Sequence, residues 1–163
     1  MTNKMFELIE AAWLFGIKKL DAVIEPKSLV HALINFKDGS TTAHIANASM
    51  QLPISYAILG GVDCEILKPI DLLEISSLEF KKIEESRYPI WSLKDEILNN
   101  LDLGVVLNAA NEVAVSKFLS GKIGFLDISK ISLEAINRFN SLKASNIEDI
   151  FEIDKEVRRY FDS

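Results

Sequence analysis

Cysteine, histidine and glycine are scarce in this chain, and each scarcity excludes a class of site. A single cysteine, Cys64, excludes an internal disulfide framework and fits a reducing compartment, so we expect the cytoplasm. The two histidines, His31 and His44, have no Cys, His or Asp cluster around them at the spacing of a zinc site. The seven glycines form no Gly-rich strand–turn–helix fingerprint, so we expect no dinucleotide-binding residues in this chain.

Long apolar runs and an excess of positive charge are absent as well. No apolar stretch approaches the roughly 18 residues that a transmembrane helix needs, so no membrane partner is expected. The net charge of −6 argues against a nucleic-acid partner. A hydrophobic fraction of 48% and a charged fraction of 26% are typical of a globular chain rather than a disordered one. A length of 163 residues suffices for one core or two small ones.

Hydrophobic periodicity indicates an α+β fold with several helices and one antiparallel hairpin. Apolar spacing predicts a first helix over residues 3–15, ended by Gly16, and a second over residues 53–59. Residues 28–36 and 41–45 flank an Asp-Gly turn and predict two paired strands. One short strand and four further helices are expected, at residues 22–25 for the strand and 89–99, 105–119, 127–140 and 146–161 for the helices.

A few side chains carry specific structural predictions. Asp127 and Asn146 are expected to be the N-caps of the last two helices. Trp13 and Trp91 are expected in the core. His31 lies among apolar residues of a predicted strand, which indicates a hydrogen-bonded structural histidine rather than a base or a metal ligand.

Three polar side chains, those of Asn108, Asn111 and Glu112, lie within about 100° of one another on an otherwise apolar predicted helix. Buried amides and carboxylates need partners, so we expect them to pin this helix to a catalytic domain or to neighbouring loops. A contact with substrate is the alternative. Arg158 and Arg159, near the end of the last helix, are expected to face water.

The start of the first helix carries a polar cluster on an otherwise apolar segment. Asn3, Lys4, Glu7 and Glu10 share one side of the helix for two turns, opposite a broad apolar face. The first amides of a helix favour anions, and Asn3 and Lys4 add a donor and a cation suited to a phosphate. Glu7 offers an oxygen ligand of the kind that hard divalent ions prefer. The cluster therefore predicts a ligand site, with surface pairing at i,i+3 spacing as the alternative.

A second motif, Leu-Asn-Ala-Ala-Asn-Glu, occupies residues 107–112. Together with Asn3, Lys4 and Glu7 it closely resembles 1-deoxy-D-xylulose 5-phosphate reductoisomerase. The residues between the two motifs, including the Asp-Gly-Ser turn and a Tyr-Pro pair, follow in the order of that family, so the resemblance covers essentially the whole chain. What it resembles is the C-terminal part of an enzyme more than twice as long. One departure is Glu25, where the family usually has a histidine.

The resemblance implies an NADPH-dependent enzyme of isoprenoid biosynthesis. Such an enzyme converts 1-deoxy-D-xylulose 5-phosphate to 2-C-methyl-D-erythritol 4-phosphate with Mg²⁺ or Mn²⁺. By position, it implies that Glu7 is a catalytic metal ligand, and that Asn3, Lys4 and Glu7 contact the phosphorylated sugar. In the family the NADPH domain and the other metal ligands, an Asp-x-Glu pair, lie upstream of the matched part. We therefore expect this chain alone to be inactive and to bind neither cofactor tightly.

The resemblance also implies how the chain is divided. Residues 1–62 would be the last portion of the catalytic domain, a helix plus a hairpin left from its α/β sheet. Residues 63–85 would be a linker and residues 86–163 a four-helix C-terminal domain. Because family members are homodimers, the apolar face of the first helix and the hairpin are expected to pack on the catalytic sheet or a second subunit, and the chain to self-associate. The alternative function is a non-catalytic helical interaction module, which would have no need of Asn3, Lys4 and Glu7.

Overall fold

The computed structural model describes residues 1–61 and 63–162, and these contain seven α-helices, one 3₁₀ helix and a two-stranded antiparallel sheet. The predicted α+β class is confirmed. The elements in chain order are α1 (Thr2–Phe15), β1 (Val30–Asn35), β2 (Thr41–Ile45), α2 (Gln51–Leu59), α3 (Leu72–Ile75), the 3₁₀ helix (Pro89–Leu93), α4 (Lys94–Asn99), α5 (Leu103–Leu119), α6 (Phe125–Phe139) and α7 (Ile147–Asp162). No described helix is both long enough and apolar enough to cross a membrane.

The chain forms two compact units. We call them the helical unit, which comprises Met1–Ala22 and Ile83–Ser163, and the hairpin unit, Val23–Lys82. These units do not follow the predicted boundaries at residues 62 and 85, because α1 packs with the C-terminal helices. The predicted boundaries refer to domains of the family's whole enzyme and stay a prediction.

The core of the helical unit lies where α5 packs against both α6 and α7. Leu107 and Ala110 of α5, Ile136 of α6 and Val157 of α7 are each fully buried. Small residues on α5 let neighbouring helices approach closely, and alanine is also the best helix former. Burying a leucine or isoleucine side chain stabilises the fold by about 1.5–3 kcal/mol, so this centre carries much of the unit's stability.

Helix α1 belongs to this core through one narrow face. Met5, Leu8 and Ala12, at helical spacing, are buried where α1 contacts the 3₁₀ helix, α4 and α5. Trp91 of the 3₁₀ helix is buried as predicted, whereas Trp13 is 66% exposed and its prediction was wrong. Trp13 follows the last buried residue by about 100° of helical turn, which points it away from the packed face. Part of the apolar face of α1 thus packs within the helical unit, and its expected packing on a catalytic sheet or a second subunit stays a prediction.

Two predicted helix caps have different outcomes. The Asn146 side chain accepts the N–H of Asp149 at 2.9 Å, which confirms it as the cap of α7. Helix α6 starts earlier than predicted, and its N-cap is Gly124 rather than Asp127. Asp127 Oδ2 accepts the Gly124 N–H at 2.9 Å from within the first turn. A hydrogen bond from Lys130, and then this one, lower the pKa of Asp127.

The hairpin unit is built on the predicted β1–β2 pair. The strands are antiparallel, with Leu33 opposite Ala43. Their connection is the Asp-Gly-Ser turn, in which Asp38 Oδ1 accepts the N–H of Ser40 at 2.9 Å and Gly39 has a φ of 91°. His31 lies on β1, and its Nε2 donates to the carbonyl oxygen of Ala46 at 3.0 Å, so its structural role is confirmed.

One other expectation in this unit was wrong. The strand at residues 22–25 is reduced to one bridge between Ile24 and Lys81. The reason is a turn that begins at Glu25, whose carboxylate accepts the N–H groups of Lys27 at 2.8 Å and Leu29 at 2.7 Å. The expected linker also contains a helix, α3, which Asp71 caps by accepting the Leu73 N–H at 2.8 Å.

Candidate functional site

The polar cluster predicted at the start of α1 is present as three side chains in contact. Asn3 Nδ2 donates to Glu7 Oε1 at 3.1 Å, and Lys4 Nζ forms an ion pair with Glu7 Oε2. The Lys4 and Glu7 side chains are 41% and 47% exposed. The structure therefore brings Asn3, Lys4 and Glu7 together, whereas Glu10 takes no part in these contacts.

The cluster sits where α1 begins, because spacings of three and four residues place its members on one helical face. The first helical hydrogen bonds run from the amides of Lys4 and Met5 to the carbonyl oxygen of Met1, at 2.9 and 3.3 Å. The amides of Thr2 and Asn3 lie ahead of them, at the positive end of the helix dipole. This end of α1 thus places its first amides beside an ammonium group and an amide donor, both of which are bound to Glu7.

A divalent ion needs more oxygen ligands than this chain brings together. Mg²⁺ prefers six oxygen ligands in an octahedron. Within residues 1–61 and 63–162, no three His, Cys, Asp or Glu side chains come close enough to form a metal site. Glu7 fits as one oxygen donor with a cation and an amide beside it. The other ligands of such a site would have to come from outside these residues.

The geometry also agrees with the simpler interpretation of the cluster. An exposed ion pair at i,i+3 spacing stabilises a helix by a few tenths of a kcal/mol and needs no ligand to explain it. A functional role for Asn3, Lys4 and Glu7 therefore depends on information beyond their mutual distances.

The polar residues of α5 form a structural contact. Glu112 Oε2 accepts from Arg158 Nη2 of α7 at 2.6 Å, and Asp154 Oδ2 accepts from Arg158 Nε at 2.7 Å. Glu112 thus pins α5 as expected, but to a neighbouring helix rather than to a catalytic domain or a loop. Arg158, which was expected to face water, is 34% exposed and is also held by hydrogen bonds to Asp154 and then Glu112, which raise its pKa. Asn108 is exposed.

This ion-pair cluster of Glu112, Asp154 and Arg158 could not be found from local spacing, because 46 positions separate Glu112 from Arg158. A shallow depression runs beside it along one face of α5, lined by Asn111, Glu112, Val115, Ser116, Leu119 and Ser120. It shares no residue with the cluster at the start of α1. We assign it no ligand.

Comparison with known proteins connects the chain to one family. A family model described as the DXP reductoisomerase C-terminal domain matches residues 45–160. The 1-deoxy-D-xylulose 5-phosphate reductoisomerases of Nautilia profundicola and Campylobacter hominis are 53% and 56% identical to this chain, over 100% and 98% of it. The chain spans only 44% of the length of each relative. Helix α1 lies outside the family-model match, but the alignment with the Nautilia relative includes it.

Solved structures show the same likeness. The reductoisomerase of Zymomonas mobilis in complex with NADPH has a TM-score of 0.85 and 33% identity, over 99% of this chain and 44% of that one. A DOX-P reductoisomerase in complex with NADPH, fosmidomycin and magnesium has a TM-score of 0.89 and 31% identity, over 99% of this chain and 43% of that one. The shared fold thus covers nearly all of this chain and less than half of each solved relative.

Proposed function

The chain belongs to the DXP reductoisomerase family, and from that membership we propose that it supplies the C-terminal part of an NADPH-dependent enzyme. The reaction would convert 1-deoxy-D-xylulose 5-phosphate to 2-C-methyl-D-erythritol 4-phosphate in isoprenoid biosynthesis. The observation that carries this is the 53% identity to a reductoisomerase along all 163 residues, which include the cluster on α1. That identity favours an enzyme over a non-catalytic interaction module.

We propose that the start of α1 is one wall of the active site. Glu7 would be a ligand of Mg²⁺ or Mn²⁺, and Asn3, Lys4 and Glu7 would contact the phosphorylated sugar. Support comes from the alignment of the whole chain, including α1, with a reductoisomerase and from the magnesium named with three reductoisomerase structures of the same fold. The bound ion would polarise substrate oxygens as a Lewis acid.

The residues of this chain would prepare that wall before any ligand arrives. Asn3 holds one oxygen of Glu7 by a hydrogen bond, so the carboxylate has a defined orientation. Lys4 keeps positive charge beside it, and the helix dipole adds to the attraction for a phosphate. Neither the hydrogen bond nor the ion pair requires a ligand to be bound.

We propose the remaining features of the whole enzyme on the family's pattern. NADPH would bind to the part outside this chain, and the chain alone would be inactive and bind neither cofactor tightly. Residues 1–62, 63–85 and 86–163 would be the end of the catalytic domain, a linker and a four-helix domain. The enzyme would be a cytoplasmic homodimer, and the chain alone would self-associate.

A fusion protein tests the proposed function. Residues 1–163 would replace the matching part of the Nautilia profundicola reductoisomerase, and NADPH oxidation would be followed at the nicotinamide absorbance band. We expect oxidation that requires both 1-deoxy-D-xylulose 5-phosphate and Mg²⁺, and none from the 163-residue chain alone. A folded but inactive fusion would overturn the proposed function.

The substitution Glu7→Gln tests the site within that fusion. We expect activity to fall by more than roughly 100-fold, because a neutral amide is a weaker ligand than a carboxylate and even second-layer partners of a metal cost 10- to 100-fold. Glu10→Gln is the matched control, since Glu10 lies one turn further along α1 outside the cluster. Equal activity of the two variants would remove Glu7 from the metal site.

A further inference from the structure

Gly104 lies in the first turn of α5, where that helix meets α1. A Cβ atom at this position would lie 3.3 Å from Ile9 Cδ1 and 3.6 Å from Ile9 Cγ2. Carbon atoms pack best at about 3.5–4.0 Å, so an added methyl group would push Ile9 away by a few tenths of an ångström. Among the described glycines, Gly104 is the one whose added Cβ would meet a side chain of another helix.

A glycine at this position makes the helix less stable than an alanine would. The close approach of Ile9 explains why a glycine is there. Glycine in a helix is about 1 kcal/mol less favourable than alanine, and Gly104 has no positive φ that would require it. The half-buried Ile9 side chain occupies the space that a Cβ would take. Ile9 of α1 therefore packs directly against the backbone of α5 at Gly104.

Ile9 and the polar cluster lie on the same continuous helix, α1, so their relative positions are fixed. With a rise of about 1.5 Å per residue, Glu7 lies about 3 Å along the helix axis from Ile9, and Asn3 about 9 Å. Met5 and Leu8 are buried on the same helix, so α1 cannot rotate freely about its axis. A displacement at Ile9 is consequently transmitted to Glu7 and Asn3.

A second contact, at Asp21, holds the segment that follows α1. Lys94 Nζ of α4 donates to Asp21 Oδ1 at 3.0 Å. Partial burial of the Lys94 ammonium lowers its pKa, but the hydrogen bond and charge of Asp21 outweigh this and the net pKa is raised. Lys94 therefore stays charged, and the segment after α1 remains tied to the helical unit.

We propose that Gly104 is a positioning residue. By leaving room for Ile9 against the backbone of α5, it fixes the distance between α1 and α5 and therefore the position of Asn3, Lys4 and Glu7 relative to the ligand. The nature of that ligand rests on the proposed function. The contact and its effect on α1 do not.

Amide resonances of the 163-residue chain test the mechanical part. Gly104→Ala should shift the ¹H–¹⁵N signals of Asn3, Lys4 and Glu7. Adding Ile9→Val should return them towards their original positions, because valine lacks the Cδ1 atom that lies at 3.3 Å. Gly61→Ala is the control, since a Cβ there meets nothing within 4 Å and it should leave these signals in place. Unmoved signals, or signals that Ile9→Val does not restore, would overturn the proposal.

Kinetics of the fusion protein test the functional part. A misplacement of 1 Å can cost about 100-fold in rate, so a few tenths of an ångström should lower kcat/KM by about 3- to 10-fold. The half-maximal Mg²⁺ concentration should rise as well, and Ile9→Val should restore both constants. Unchanged constants in Gly104→Ala would overturn the positioning role. A fusion that is inactive before any substitution would count against the proposed function, and the amide signals would still decide the proposal about Gly104.

Discussion

The helical unit and the hairpin unit differ in whether they bury apolar side chains. Every buried apolar residue among those the structure describes lies in the helical unit. Both units expose large apolar side chains, the hairpin unit at Leu33, Ile58 and Leu73 and the helical unit at Leu14 and Leu119 among others, so the two units differ in what they bury rather than in what they expose. Helices α2 and α3 contain no buried residue.

This contrast indicates that the helical unit has a core of its own, whereas the described residues of the hairpin unit include no buried apolar side chain. Large exposed apolar surfaces on a protein usually mark an interface. The relatives are more than twice as long as this chain, which spans 44% of their length. We expect the exposed apolar side chains of the hairpin unit to contribute to the proposed self-association of the chain.

The largest expected effect is on stability, and it is tested by truncating one leucine in each unit. Leu107→Ala, in the core of the helical unit, should lower the free energy of unfolding by about 2–5 kcal/mol through the cavity it leaves. Leu73→Ala, at a position 90% exposed, should change it by less than about 0.5 kcal/mol. Urea unfolding measures both values. Similar losses from the two variants would show that the hairpin unit has a core after all.

A smaller effect is expected on self-association. Light scattering should show association of the 163-residue chain that grows with concentration, and Ile34→Lys on β1 should weaken it by roughly tenfold, because a lysine would be desolvated in the contact. Phe151→Lys is the control, since Phe151 is 67% exposed but lies in the helical unit. A monomer at all concentrations, or equal effects of both lysines, would contradict the role given to the hairpin unit.

The smallest effect concerns the contact between α5 and α7. Arg158→Ala should lower the free energy of unfolding by about 1 kcal/mol, since its side chain is 34% exposed and water screens its pairs with Glu112 and Asp154. The loss should shrink at high salt. Arg159→Ala, at the exposed neighbouring position, should cause almost none. A loss from Arg158→Ala that salt does not reduce would assign its role to packing rather than charge.

Local pattern was enough for most of the fold and for the contacts within the polar cluster at the start of α1. The periodicity of residues 3–15 predicts α1, the Asp-Gly turn predicts the hairpin, and helical spacing brings Asn3, Lys4 and Glu7 together. Each of these depends on residues within a few positions of one another. Their geometry follows from the period of a helix or the shape of a turn.

The errors arose where partners are distant in the chain. Trp13 looked like core because its own helix is apolar, but which face of α1 is buried depends on α4 and α5, about ninety positions later. The contact of Arg158 with Glu112 was missed because the two residues lie on different helices. For the same reason, the meeting of Ile9 with Gly104 has no signal in either local sequence.

The packing of α1 with the C-terminal helices also decides how long the site stays intact. Proteins open locally with free energies that range from nearly zero up to the value for global unfolding. Transient fraying of the hairpin unit does not melt α1, because α1 shares its buried face with the 3₁₀ helix, α4 and α5. Glu7 therefore stays in position for as long as the helical unit remains folded, even though it is among the first residues of the chain.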